Sequence, residues 1–553
     1  MSILGKKWII QNSDSDTDTI NKLIKNRKGL NLDEEMDFHD PFLFEDMKKA
    51  VERIKKAKEN GERIIVFGDY DVDGITGTAI LVHILRKIGA KVSYRLPNRV
   101  DDGYGFSDKF IKDFVENRVD LVITTDCGIS NEEHIRKAKE KGIDFIVTDH
   151  HTIPENIPDA VAIIHPKLEG SKYPYKELTG AGVALKVAHA LAQEFFPEEK
   201  DLFNDFMDLA SLGTVADLGP LTGENRLIVK KGLEKLAKTK WAGLNNLMKV
   251  ASVKPSEMLD TSSIGFKIAP RINAAGRIDD PYIALSLLLQ EENNEKAQKL
   301  SQKLEALNIK RQEMTQEAMM EAGRKMMNAK YVPSIIIDSS PDWHVGILGL
   351  ISGKLSEKYA RPSIIMQDFG DTLVGSGRSP EFFNITDALA ANKKHLISFG
   401  GHAQAAGFNL KKENLEAFIK GMTSYSNRQL KDKDMKPSLN IDCELDHKNL
   451  DLDFLKELDQ LRPFGIANER PKFILKGIKP LFIDQVGRDK SHLKFSLNLN
   501  DKDLGVIAFR MGEHAQTLRQ HRKIDLVFHL EKNVWNNRES LQLQALDFRK
   551  SEE

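Results

Sequence analysis

The amino-acid sequence predicts an α/β protein: a parallel-sheet domain, a helical connector, a second α/β domain and a small C-terminal β-barrel. Three observations carry this. Between 63 and 148, apolar runs of strand length alternate with helix-patterned stretches, as in a parallel sheet covered on both faces. The stretch 284–329 is long, amphipathic and free of proline, which reads as one or two helices joining domains. Beyond Lys436, short strands punctuated by Gly and Pro replace the helices. With 553 residues the chain exceeds one core, and at roughly 150 residues per domain about three to four domains are expected.

The elements follow in order. Residues 1–40 are polar and acidic and read as a lead-in. A domain over 41–220 opens with the apolar run Arg63 to Phe67, followed by helical periodicity from Ile75 to Ile88 and a strand-like run from Lys91 to Leu96. Asp120 to Thr124 and Asp144 to Thr148 are further buried-strand runs, with a charged helix from Glu132 to Lys141 between them, and 180–213 is helical throughout. The connector occupies 221–330. The second α/β domain, 331–430, begins with the apolar run Ser334 to Ile337. Residues 437–553, with Lys472 to Leu475 and His492 to Leu497, fit a barrel of the oligonucleotide-binding (OB) kind.

Composition narrows the class. Hydrophobic residues make up 41% and charged residues 29%, as in a globular protein. Cys127 and Cys443 are the only cysteines, which excludes a disulfide scaffold and a cysteine-rich zinc site. The N-terminus lacks the apolar core of a signal peptide, and no run of about 18 apolar residues exists, so a cytoplasmic protein that spans no membrane is expected. The net charge of −1 hides a gradient: residues 1–219 hold 30 Lys+Arg against 39 Asp+Glu, and 220–340 hold 19 against 14. An acidic first part beside a basic middle suits a cation site next to a surface for an anionic polymer, and ordinary solvated surface accounts for it equally well.

The chemistry concentrates in an acidic cluster. FGDYDVDG at 67–74 follows the first strand and sets Asp69, Asp71 and Asp73 at alternate positions. Ligands of open parallel sheets bind outside the carboxyl ends of strands, and carboxylates this dense need a compensating cation. The run matches the first half of a calcium-binding EF-hand loop, but its twelfth position is Ile80 rather than Glu and a strand precedes it. A phosphatase with a strand followed by DxD remains open at this point. TTDCGIS at 124–130 brings Asp126 to the end of the next clear strand, TDHH at 148–151 brings Asp149, His150 and His151, and GTVADLGPL at 213–221 brings Asp217. Taken singly, a strand-end Asp is more often a helix cap and a His pair is usually surface. Their convergence favours an oxygen-rich site with an occasional imidazole, suited to Mn²⁺ or Mg²⁺, and carboxylates in this number can hold two cations for phosphoester hydrolysis.

In this order, GDYDVDG, TTDCG, TDHH and TVADLGPL resemble the four motifs of the DHH phosphoesterases. FKIAPRINAAGRIDDP at 266–281, DWHVGILGLISGKL at 342–355, GSGRS at 375–379, FGGHAQAAGF at 399–408 and RPFGIANERPKF at 462–473 narrow the resemblance to the RecJ single-strand-specific exonucleases. It spans about 60–475. It implies a DHH catalytic domain, a helical connector, a DHH-associated domain and an OB-like domain. The implied activity is 5′→3′ hydrolysis of single-stranded DNA to mononucleotides with Mn²⁺ or Mg²⁺, two ions in all. By the same resemblance Asp71, Asp73, Asp126, His150 and Asp217 are the metal ligands, with Asp126 bridging. His151 contacts the scissile phosphate, and Asp149 orients a histidine. Many relatives carry a His four residues before Asp71, where this chain has Phe67; the role of Asp69 stays open. The resemblance also implies work alongside a single-strand DNA-binding protein, and a monomer is expected.

The basic middle then has a use. Arg271 and Arg277 flank Asn273, and guanidinium forks suit bidentate phosphate contact; the structural alternative is pairing with Asp279 or Asp280. Ser376 and Arg378 in one glycine-rich loop, and Gly401 and His402 in another, are further substrate-binding candidates, since glycine lets the backbone approach phosphate. Trp343 and His344 could stack on a base, with core packing equally open for Trp343. Cys127 reads as a small buried residue. Two other functions compete: a DHH-type phosphodiesterase for short oligonucleotides or cyclic dinucleotides, whose members generally lack the barrel, and a non-catalytic replication scaffold, which loses metal ligands that are all acidic or His here.

Overall fold

The computed structural model describes every residue except 1, 13–18, 28–29, 31–36, 100–104, 328–331, 432, 434, 448–449, 500–501, 536–537 and 553. The chain forms two compact units, one of 36–433 and one of 1–35 with 434–553.

In the larger unit, five parallel strands form the first sheet, ordered Lys91–Arg95, Arg63–Gly68, Leu121–Thr125, Asp144–Thr148 and Ala162–Ile164. The alternation of Ile64 and Val66 with Ile65 and Phe67 sends side chains to two cores. Ile64 and Val66 pack under the helices Met47–Asn60, Val72–Lys87 and Gly180–Phe195, whereas Ile65 and Phe67 pack with Phe106, Phe110, Phe114 and Ile135 on the other face. The strand order reverses at the Arg63–Gly68 strand, so the crevice outside its carboxyl end is the place this topology offers a ligand.

A second sheet in this unit runs Leu396–His402, Ala405–Lys411, Thr372–Arg378, Ser363–Asp368 and Ile336–Ser340; only its last pair is parallel. The helix Glu295–Met327 ties the two sheets together. At 33 residues it is about 50 Å long. Ala297, Leu304 and Leu307 enter the first core, and Ala318 and Ala322 pack with Ile347 and Ile351 beneath the second sheet. The segments expected as separate domains at 41–220, 221–330 and 331–430 therefore pack as one unit, because the connector shares its apolar stripe with both neighbours. The expected boundary at 331 lies outside the described residues.

The smaller unit is an eight-stranded sheet. The expected lead-in is corrected here. Lys7–Asn12 is a strand that pairs in parallel with Ser438–Glu444 at the edge of this sheet. Its anchor is Asp547, which accepts hydrogen bonds from Ser2 Oγ at 2.5 Å, the Leu4 N–H at 3.3 Å and Trp8 Nε1 at 2.9 Å. A partner more than 500 residues away leaves no local mark in the sequence. Residues 13–18 and 31–36 of the expected lead-in lie outside the described residues. Among the described residues, no helix is long and apolar enough to cross a membrane.

Candidate active site

The site is assembled at the strand-order reversal. After the Arg63–Gly68 strand the chain turns tightly into the helix Val72–Lys87, whose N-cap is Asp71: its Oδ1 accepts the Asp73 and Gly74 N–H groups at 2.9 and 3.1 Å. Gly74 cannot be larger, since a Cβ there would lie 2.6 Å from the Asp69 backbone. Asp126 follows the Leu121–Thr125 strand with φ +61°, a left-handed conformation rare outside glycine and frequent at functional sites. Asp149 and His150 follow the Asp144–Thr148 strand, and Asp217 follows the helix Met207–Ala216.

These segments converge. Ligand atoms of Asp69, Asp71 and Asp126 lie within 4.8 Å of one another, as do those of Asp73, His150 and Asp217, and of Asp126, His150 and His151. His150 Nε2 is 3.0 Å from Asp126 Oδ1 and 3.7 Å from Asp73 Oδ2 and Asp217 Oδ2. Asp126 thus stands between two neighbouring clusters. The five expected ligands are brought together, and Asp69, left open by the sequence, joins them. Phe67 faces the opposite core against Phe106 and Phe110, so that position contributes nothing to the cluster.

One contribution was missed. Asp73 accepts the Gly180 N–H at 2.6 Å and the Ala181 N–H at 2.9 Å, from the N-terminus of the helix Gly180–Phe195. Gly180 is as constrained as Gly74: its Cβ would sit 2.5 Å from the Asp126 Cβ. The readable signal was Thr179 as N-cap before Gly-Ala-Gly.

Electrostatics separate the groups by role. Burial first, then neighbouring carboxylates, pushes Asp69 and Asp217 up to about 8 and Asp73 up to about 7, and drives Asp126 well above the usual carboxylate range. Burial and the adjacent His151 charge lower His150 to about 3, leaving it neutral as a metal ligand must be. For His151, burial opposes the charge, but the Asp149 hydrogen bond outweighs it and raises the imidazole to about 9. Asp149, fully buried, is held at about 2 by His151 and the Ile129 N–H against the cost of burial. Its Oδ1 accepts from His151 Nδ1 at 2.8 Å. Oxygen donors, one neutral imidazole and a buried Asp69 Oδ1 without a hydrogen-bond partner fit a hard divalent cation. Cys127 is buried with Sγ 3.8 Å from the Phe67 carbonyl, a packing residue.

The expected substrate residues divide. Arg271 is engaged by Glu305 on the long helix through Nε and, at 3.1 Å, Nη2, and by the Lys267 carbonyl at 2.6 Å. The expected fork on phosphate is therefore spent within the protein. Spacing pointed to Asp279 or Asp280 as the competitor, and a residue 34 positions away supplies it instead. Arg277 donates to the Gly346 carbonyl at 3.0 Å, and Arg378 donates to the Gly377 carbonyl at 2.9 Å and Ser376 Oγ at 3.3 Å. Neither Arg277 nor Arg378 pairs with a carboxylate among the described residues. Burial, then the charges of Arg99, Arg311 and Arg378, lowers Arg277 to about 9. Arg99, whose guanidinium stacks 4.0 Å over the Tyr70 ring beside Asp69 and Asp71, links this cationic group to the acidic cluster. Sequence reasoning missed Arg99 because no motif marks it. Asn273 is half-buried on the same helix as Arg277. Gly401 and His402 lie exposed on the edge strand, with His402 paired to Ala405, which pairs to Arg378. Trp343 is core, its Nε1 donating to Glu321, and His344 caps the helix Val345–Tyr359; neither is a stacking platform.

Comparison with known proteins matches 63–214 to the DHH family N-terminal domain, 328–427 to the DHHA1 domain and 441–547 to the RecJ OB domain. The chain is similar to the single-stranded-DNA-specific exonuclease RecJ of Bacillus subtilis, at 35% identity over 93% of this chain, and spans 65% of that relative's length. It is 33% identical to the RecJ of Haemophilus influenzae over 90% of this chain and 89% of that protein. The crystal structure of Thermus thermophilus RecJ in complex with Mn²⁺ superposes with a TM-score of 0.82 at 28% identity, over 99% of this chain and 80% of that one. A manganese-bound exonuclease RecJ gives 0.62 at 32% identity, over 71% and 98%.

Proposed function

The chain belongs to the RecJ family, and from that premise we propose that it hydrolyses single-stranded DNA 5′→3′ to mononucleotides, in DNA repair and recombination. The observation that carries the reading is Asp126, shared between the Asp69–Asp71 and His150 clusters beside an arginine group in which, among the described residues, neither Arg277 nor Arg378 forms an ion pair with a carboxylate. Asp69, Asp71, Asp73, Asp126, His150 and Asp217 would hold two Mn²⁺ or Mg²⁺ ions, which when bound stabilise the attacking and leaving oxygens of a phosphoester displacement.

The chain's own groups do the rest. Asp149 fixes the His151 ring and keeps it cationic, so His151 donates a hydrogen bond to a non-bridging oxygen of the scissile phosphate where charge builds. The Gly180 and Ala181 N–H groups hold the Asp73 carboxylate in one orientation. Arg277 and Arg378, with Ser376 and Arg99, grip a phosphate of the strand. Asn273, Gly401 and His402 extend that contact. In this division 41–220 performs hydrolysis, 221–330 and 331–430 hold the strand, and 437–553 binds more of the polymer. A cytoplasmic monomer working with a single-strand DNA-binding protein completes the reading.

The test is degradation of a long single strand, labelled at one end or the other, with Mn²⁺ and with EDTA. Mononucleotide release from the 5′ end, abolished by EDTA, is expected. Release from the 3′ end, or no cleavage with Mn²⁺, overturns it.

A further inference from the structure

Among the described residues of the 36–433 unit, the three most exposed large apolar side chains are Phe266 (82%), Leu218 (66%) and Met258 (65%). Two of them lie on segments that adjoin the active site: Leu218 in sequence, and Phe266 through the packing of its turn. Leu218 directly follows Asp217, with φ +59°, a backbone state that a leucine adopts only under constraint. Phe266 lies in the π-helical turn Ser263–Ile268, which packs against the helix Met207–Ala216 leading into Asp217. The approach is close: a Cβ on Gly265 would touch Val215 Cγ1 at 3.9 Å. Inserted turns of this kind are frequent at functional sites.

Within that turn Ile264 and Ile268 are fully buried while Phe266 points out, so the turn is anchored on one side and presents an aromatic on the other. The register that buries the isoleucines and exposes Phe266 is built into the element. Apolar faces beside a phosphodiester site suit one occupant, the bases of the strand being cut, because every base offers a flat apolar face and single-strand binding proteins use aromatics as stacking platforms. The geometry points to Phe266 and Leu218 as a base platform: Phe266 stacks on a base of the substrate strand within a few nucleotides of the scissile phosphate, and Leu218 closes the other side. This rests on the proposed single-strand nuclease activity and adds to it a positioning role that requires an unpaired base at that point.

The experiment is a coupling measurement on the full chain with Mn²⁺. KM and kcat are determined for an intact strand and for strands carrying one abasic site at each of the first several positions, using the wild type, Phe266→Ala, Leu218→Ala and Phe266→Trp. In the wild type, one abasic position is expected to raise KM about tenfold. Phe266→Ala raises KM for the intact strand by about the same factor, and that abasic position then costs it nothing further. Phe266→Trp restores both the affinity and the sensitivity, with kcat unchanged within about threefold throughout. A purely structural role would weaken all strands alike with no positional coupling, which overturns the platform while leaving the nuclease reading intact. An unchanged KM in Phe266→Ala does the same. A wild type that cleaves no single strand overturns both.

Discussion

Replacing Asp126 with Asn keeps the side-chain shape and removes one negative charge from the point where two clusters meet. The carboxylate is 2% exposed, and its ionisation is opposed by burial and then by Asp73, Asp71, Asp69 and Asp217. Two opposite consequences follow. Because the Asp126 carboxylate belongs to both clusters, the substitution weakens two charge-assisted contacts, each worth about 1.5–3 kcal/mol. Roughly 4 kcal/mol of transition-state stabilisation is at stake, which is a fall in hydrolysis of about a thousandfold. The metal-free protein, in contrast, no longer bears the cost of a buried carboxyl that must either stay protonated far above its ordinary range or be buried charged, so its thermal midpoint at pH 8 should rise. A divalent ion at 100 times its Kd stabilises the wild type by about 2.7 kcal/mol; if the substitution weakens binding about a hundredfold, the same concentration gives only about 0.4 kcal/mol. The assay is therefore cleavage of a labelled strand together with thermal unfolding with and without Mn²⁺. Expected are lost cleavage, a raised metal-free midpoint and a nearly abolished Mn²⁺ shift. Cleavage within tenfold of wild type, or an undiminished Mn²⁺ shift, would refute the shared position of Asp126.

The same raised carboxylates set a pH dependence. Asp69, Asp73 and Asp217 hold protons in the folded state up to about 7–8 that the unfolded chain releases near 3.8. The folded state therefore binds more protons in that window, and metal-free stability falls as pH rises from 5 to 8; calorimetry should show this slope, and saturating Mn²⁺ should flatten it. Arg378→Gln and Arg277→Gln should each raise KM and flatten the log–log salt dependence of strand binding by about 0.7, whereas Arg271→Gln leaves the slope unchanged because Glu305 already occupies that guanidinium. Deleting residues 1–12 exposes the edge of Ser438–Glu444 and strips Asp547 of its Ser2, Leu4 and Trp8 donors. The smaller unit should then unfold at a lower temperature by differential scanning calorimetry, with kcat on short strands kept within about tenfold.

The sequence by itself determined the parallel sheet and the carboxylates that crown it, because both are local. Strand periodicity writes the burial of Ile64 to Phe67 directly into the chain. The acidic residues sit at element ends, Asp69, Asp71 and Asp73 together at one strand-to-helix junction and Asp126, Asp149 and Asp217 each after an element of its own. What only the tertiary structure decided depends on partners remote in sequence. Asp69 belongs to the cluster because the turn at Gly74 folds it toward Asp126, 57 positions on. Asp73 is oriented by amide groups that arrive from residue 180. Arg271 and Arg277 look alike in a motif, yet Glu305 neutralises one and burial among arginines isolates the other. The N-terminal strand completes a sheet whose other strands begin after residue 437. Periodicity and motif spacing report which groups a short segment can present, whereas charge compensation and edge pairing are settled by whichever distant segment packs against them.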